Sequence, residues 1–229
     1  MQFCKIGGGA MLAKIITAAF IVALVILVLL YQAVKQLLRD AKANKIGKEG
    51  EALVEKVIKQ SKIPGRLYKN IYILFPDGNS TEIDLVFLTN RGIYVIESKN
   101  YSGIVYGSEG EHDWVVKYKN GKSFKFYSPI LQNQGHINAL AYSLRINKSC
   151  IQSIVVFGSK TELNISNIKT PVLKPDKLGE YLKFTYNNSP INIDNMTVES
   201  LSQQLSRLVG VNPVTKAKHK YKVKTKYYK

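Results

Sequence analysis

The sequence predicts an α/β domain, a mixed sheet flanked by helices, preceded by one transmembrane helix. Three observations predict it. Residues 15–31 (IITAAFIVALVILVLLY) run without a charge. Helical and extended patterns then follow in the order α-β-β-β…α-β, which describes a sheet with helices packed on it. The chain is 45% hydrophobic, enough apolar material to exclude disorder throughout.

The apolar run is the first element. With residues 10–13 and the snorkelling Lys14 it reaches roughly the 20 residues that a bilayer crossing needs. Every face is apolar, as expected for a helix in lipid. A cleaved signal peptide would carry a small-residue cleavage site after it, and none follows Tyr31. Lys5 and Lys14 precede the span, whereas Lys35, Arg39, Lys42, Lys45 and Lys48 follow it. The positive-inside rule therefore places the C-terminal part in the cytoplasm of a single-pass protein of the cell membrane. Residues 32–45 keep a helical composition and continue as a stalk.

Residues 47–62 (GKEGEALVEKVIKQSK) form the next helix, with Leu53, Val54, Val57 and Ile58 on one stripe, and Pro64-Gly65 stops it. Residues 67–75 read as a strand, followed by a turn through Pro76, Asp77, Gly78 and Asn79. Residues 81–88 and 93–99 are two strands of a hairpin turning through Thr89-Asn90-Arg91-Gly92. Residues 101–127, rich in Tyr, Gly and Lys around Trp114, suggest short strands and loops. Ser128-Pro129 supplies an N-cap and first-turn proline to a helix whose stripe holds Ile130, Ile137, Leu140, Ala141 and Leu144. Residues 151–157 (IQSIVVF) are a buried strand, and residues 198–208 the last helix.

Charge narrows the partners. The 33 basic side chains against 16 acidic ones leave a formal net charge of +17, a surface that attracts nucleic acid or anionic lipid. Residues 215–229 hold seven lysines, one histidine, three tyrosines and no acid, the composition of a disordered or loosely docked tail. Cys4 and Cys150 are too few and too far apart for a disulfide framework or a zinc site.

The stretch that carries chemistry is TEIDLVFLTNRGIYVIESKN. A hairpin symmetric about Asn90-Arg91 places Asp84 opposite Glu97 and Glu82 opposite Lys99. Strand alternation then puts all four on one face, with Ile83, Leu85, Phe87, Tyr94 and Ile96 on the other. Two facing carboxylates in apolar strands repel each other, and a divalent cation, with Lys99 beside it, would offset that repulsion. The alternative is an exposed ladder of ion pairs, Glu82 with Lys99.

A strand Asp followed after a hairpin by Glu-x-Lys (Asp84, then Glu97-Ser98-Lys99) resembles the PD-(D/E)xK nuclease core, a restriction-endonuclease-like fold. Gly47-Lys48-Glu49-Gly50-Glu51 resembles the GxxGE start of the NERD, nuclease-related, domain. Glu82-Ile83-Asp84 resembles its EID motif. The segment from Ser128-Pro129 through Gln132 to His136 resembles its (N)PxxQxxxH segment. Two departures stand out: Ile83 precedes the aspartate where the superfamily name has proline, and Ser128 stands where the family often has asparagine.

The resemblance implies Mg²⁺ or Mn²⁺ bound by Asp84 and Glu97, with Glu51 completing or supporting the site. It implies that Lys99 activates the attacking water, with Gln132 and His136 assisting from the helix. It divides the chain into an anchor and stalk (1–44), a nuclease-related domain (45–160), an extension packing on it (161–212) and the basic tail (213–229). The function implied is hydrolysis of phosphodiester bonds in DNA, or in RNA, by a protein tethered to the membrane through residues 10–31. The alternatives are a non-catalytic nucleic-acid-binding module and a domain pressed onto anionic lipid by its tail.

Overall fold

The computed structural model describes residues 8–75 and 77–210. Cys4, Lys5, Pro76 and the basic tail lie outside the described residues. The first helix, α1 (Gly8–Ser61), contains the apolar run. Among the described residues it is the one helix long and apolar enough to cross a membrane, its most apolar 18-residue stretch having a mean hydropathy of 2.8. Its side chains there, among them Phe20, Leu27 and Leu30, are exposed, as a helix facing lipid requires. The chain divides into two compact units between Ile46 and Gly47. Lys62 enters the left-handed region (φ 59°), so α1 stops at Ser61, three residues ahead of Pro64.

Within the second unit three strands follow, β1 (Arg66–Leu74), β2 (Ser80–Thr89) and β3 (Gly92–Lys99). Next come β4 (Ile104–Ser108), β5 (Asp113–Lys117), β6 (Ser123–Tyr127) and the helix α2 (Pro129–Leu144). The chain continues through β7 (Ile151–Phe157), β8 (Glu162–Ser166) and β9 (Val172–Leu173), and ends with α3 (Pro175–Asn187) and α4 (Asn195–Leu208). Ser128 caps α2 by accepting from the Leu131 amide, with Pro129 at the first turn, as its sequence foretells.

The strands make two mixed sheets rather than one. The larger runs β1-β2-β3-β7-β9, antiparallel through β3 and parallel beyond it. The smaller runs β6-β5-β4-β8. It arises because the short strands of residues 104–127 pair among themselves and then with β8, which crosses in parallel beside β4. β8, β9 and α3 have no counterpart in the sequence reading.

Helices cover both faces of the larger sheet. On one face Ala139, Leu140 and Leu144 of α2 and Leu201 and Leu205 of α4 pack on Val86, Leu88, Ile93 and Val95. On the other, Val54 and Ile58 of α1 and Leu178 and Leu182 of α3 pack on Leu85, Phe87, Tyr94 and Ile96. Each such fully buried aliphatic or aromatic side chain stabilises the fold by about 1.5–3 kcal/mol. Asn133 ties α2 to the sheet, its Nδ2 donating to Val95 O (2.9 Å), Ser153 Oγ (2.8 Å) and Ile154 O (3.3 Å).

Candidate active site

The β2–β3 hairpin takes the register read from the sequence, from Thr89↔Gly92 to Leu85↔Ile96, and there the ladder stops. Beyond that point β2 stays with β1, pairing Ile83 with Ile71 and Glu82 with Tyr72. β3 stays with β7, pairing Glu97 with Val155 and Lys99 with Phe157. The two strands fork, and the Asp84–Glu97 and Glu82–Lys99 ladder pairs do not form. Asp84 instead bridges the fork with its side chain, Oδ2 accepting from the Ser98 amide at 3.0 Å.

Strict alternation also fails here. Ile83 packs with Val86 and Leu88, not with Leu85 and Phe87 on the face the alternation assigns it. The cause sits across the ladder. Asn70 of β1 is left-handed (φ 51°), and the β1–β2 pairing skips from Lys69↔Leu85 to Ile71↔Ile83. Both strands therefore exchange faces at Asn70 and Asp84. Thr81 consequently turns toward α2, and Glu82 does not share the face of Glu97.

Glu97 is 1% exposed, and both of its oxygens are engaged. Oε1 meets Lys99 Nζ at 2.6 Å and Oε2 meets His136 Nε2 at 3.1 Å. Lys99 Nζ also donates to Gln132 Oε1 at 3.0 Å. His136 Nδ1 lies 2.8 Å from Thr81 Oγ1, and its Nε2 lies 3.4 Å from Gln132 Nε2. A carboxylate can only accept, so Nε2 carries the proton toward Glu97 and a neutral His136 accepts from the Thr81 hydroxyl.

The titrations of the two acids are pushed apart. Burial opposes the charge on Glu97, but Lys99 and His136 outweigh it and hold the carboxyl at about 2. Burial, then the charge of Glu97, pushes Asp84 well above the usual carboxylate range; Lys99 and the Ser98 amide only partly offset this. Burial likewise opposes the charge on Lys99, and Glu97 overcomes it, so the ammonium stays protonated well beyond its ordinary range.

Glu51 projects from α1 close enough for its charge to raise Asp84 further. Gly50, the residue before it, is buried, and a Cβ there would stand 2.9 Å from Asn100 Cβ and 3.2 Å from Ser98 Oγ. The glycine lets the helix lie against the end of β3, which sets Glu51 beside the fork. On the same side, burial and then Glu82 raise the Tyr72 phenol far above its ordinary value.

Glu97, Lys99, Gln132 and His136 are thus joined by direct contacts, Asp84 holds the backbone between the first two, and Glu51 flanks them. Among the described residues no group of three or more His, Cys, Asp or Glu is arranged to hold a metal. Sequence reasoning missed Thr81, Asn100 and Asn133. Of these only Asn133 carried a signal, lying between Gln132 and His136 one turn from the cap.

Residues 46–158 match the family model of the nuclease-related domain, NERD. This segment is a NERD domain. An uncharacterised protein of Bacillus anthracis is 34% identical over 125 residues, 53% of this chain and 57% of that one. The chain therefore spans little more than half the length of that curated relative. Among solved structures, Can2 from Sulfobacillus thermosulfidooxidans, determined in complex with cyclic tetra-adenylate, is similar at 20% identity and a TM-score of 0.32. That likeness covers 62% of this chain and 36% of the other. The matched NERD segment contains the forked hairpin, the capped helix α2 and β7, so every residue of the candidate site lies inside it.

Proposed function

We propose that the protein is a membrane-anchored phosphodiesterase that hydrolyses nucleic acid, DNA foremost, with Mg²⁺ or Mn²⁺. One observation carries the reading: a buried Glu97 paired with a half-buried Lys99 and set beside Asp84 in the fork of two strands. Asp84, raised by burial and by a second acid, is only partly compensated by Lys99, and a divalent cation is the group that would complete the compensation. The donor chemistry fits, since Mg²⁺ sites commonly use one or two carboxylates and leave the other positions to water and phosphate oxygens. Asp84 and Glu97 would hold the cation, with Glu51 supporting them. When bound it would polarise the phosphoryl group and stabilise charge developing on its oxygens.

The remaining steps belong to the chain. Lys99, charged at neutral pH and aimed by Glu97 and Gln132, would orient the attacking water and offset charge on a phosphoryl oxygen. His136, its tautomer fixed by Glu97 and Thr81, would move a proton at Nε2 once substrate displaces Glu97 from it. In this reading residues 45–160 carry the chemistry, residues 161–212 brace it, and the lysine-rich flank of the apolar run holds the domain in the cytoplasm.

A second reading, a nucleic-acid-binding module without catalysis, is favoured by the engagement of both Glu97 oxygens by Lys99 and His136. The full chain in detergent, incubated with DNA and RNA with and without Mg²⁺ or Mn²⁺, separates the two. Metal-dependent cleavage lost in Asp84→Asn and in Lys99→Ala supports the enzyme. Binding without cleavage under every cation leaves the module.

A further inference from the structure

From residue 114 to residue 161 the chain contains no acid and seven basic residues. Four of these, Lys117, Lys119, Lys122 and Lys125, are exposed on the β5–β6 hairpin. Some basic groups elsewhere in the unit are shared with acids, as Lys59 and Lys69 are with Glu55 and Arg66 is with Glu199. Among the described residues no ion pair involves the four hairpin lysines. The acid at the hairpin root, Asp113, is held by His112 Nδ1 at 2.9 Å.

The hairpin also presents rings. Lys117 Nζ lies 4.9 Å over the Tyr106 ring of β4, and Phe124, between the lysines in sequence but on the other face of β6 from Lys125, is 38% exposed. Its root is fastened to the candidate site on both sides. Tyr101, two residues past Lys99, packs on Phe126 with ring centroids 4.8 Å apart. β6 runs directly into Ser128, the cap of the helix that carries Gln132 and His136. Strands of five residues put the tip about 17 Å from that root. The hairpin is therefore a basic arm with interleaved aromatics, extending from the residues proposed to act on phosphate.

We propose that the β5–β6 hairpin grips the phosphate backbone of the nucleic acid presented to the site, through Lys117, Lys119, Lys122 and Lys125. The proposal rests on the phosphodiesterase reading for its choice of partner. Phosphate contacts of this kind position a strand without reading its sequence, and they make affinity fall with salt.

The test uses the full chain in neutral phosphatidylcholine nanodiscs, with labelled single-stranded and duplex DNA in EDTA so that binding is read without cleavage. Replacing all four lysines by glutamine should weaken binding about tenfold or more and flatten the slope of log K against log salt by about 3. Replacing them by arginine should preserve both. A dye-reactive cysteine at Asn120→Cys, in a background with Cys4→Ser and Cys150→Ser, should be protected by DNA. Unchanged affinity and slope in the glutamine variant, with no protection by DNA, overturn the proposal. Protection by phosphatidylserine in the disc but not by DNA also overturns it, in favour of a lipid contact. Cleavage by wild type with an indifferent hairpin removes the arm and leaves the enzyme. Hairpin-dependent binding with no cleavage under any cation removes the enzyme and leaves the arm.

Discussion

Asp84 and Glu97 make opposite contributions to stability as pH changes. The folded-state titration of Glu97 is depressed to about 2, so its contribution is present above the ordinary glutamate value and fades as pH falls through that value toward 2. Asp84 is raised. Its charge therefore costs stability at neutral pH, and the cost is relieved as pH falls toward its raised titration point. Without divalent cation, denaturant midpoints measured against pH should rise as pH falls through the raised titration of Asp84 and drop again below about pH 4.5. Asp84→Asn should remove the decline toward neutral pH while keeping the acid limb. A flat profile in wild type would mean the two acids are solvated.

Metal should act on the same residue. A cation that binds only the folded state stabilises it by mass action, so Mg²⁺ or Mn²⁺ should raise the melting temperature of wild type and not that of Asp84→Asn. Lys99→Ala should keep most of the metal response and lose cleavage. Identical melting of wild type and Asp84→Asn with and without cation would remove the metal from the proposed mechanism.

Among the elements, β1 and β2 show what was legible and what was not. The register of the hairpin could be read because turn chemistry at Thr89-Asn90-Arg91-Gly92 sets pairing locally. The fork could not. Where β2 leaves β3 is decided by β1 drawing on one strand and β7 on the other, and β7 lies about fifty residues further along the chain. The exchange of faces had one local trace, an asparagine inside a strand pattern, since asparagine visits the left-handed region more readily than most residues. Asn70→Gly should be close to neutral in stability. Asn70→Val should cost about 1–2 kcal/mol in denaturant unfolding and loosen the contact between Thr81 and His136. Gly50→Ala tests the seat of α1. Its Cβ would crowd Asn100 and Ser98, so about 1–3 kcal/mol of destabilisation is expected, unless Asn100 gives way without cost.

Taken across the chain, the larger sheet apart from the two-residue β9, and both of its longest companions, α1 and α2, were visible because each buries a stripe or a run long enough to show a period. The smaller sheet was not. Its strands are five residues each, and β4 finds its parallel partner β8 only 58 positions later, Ile104 against Glu162. α3 buries only Leu178 and Leu182 beyond its first-turn proline, too few to mark a face. The apolar span and its lysine-rich flank remain the basis for topology. Protease added outside intact cells should leave residues 47–229 uncut, and digestion from outside would reverse the orientation. Removing residues 15–31 should release the protein from the membrane fraction while leaving the melting of the second unit unchanged, since its core is built from its own residues.

Trp114 is the protein's single tryptophan. It belongs to β5, yet its ring lies parallel to Phe157 at the end of β7, with centroids 6.1 Å apart and planes 4° from parallel. Its fluorescence is therefore an optical gauge of when the smaller sheet meets the larger one. β1, β2 and β3 pair between neighbours in the chain, whereas β3–β7 and β4–β8 each close a separation of 58 residues, Ile93 to Ile151 and Ile104 to Glu162. Longer closures cost more entropy before contacts repay it, so they form later. In stopped-flow refolding the tryptophan signal should lag the far-ultraviolet dichroism of the meander. Phe157→Leu should dim that late phase and leave the early one untouched. If both probes instead follow one exponential, the two sheets close in a single cooperative step, and His136 reaches Glu97 at the same moment the hairpin forms.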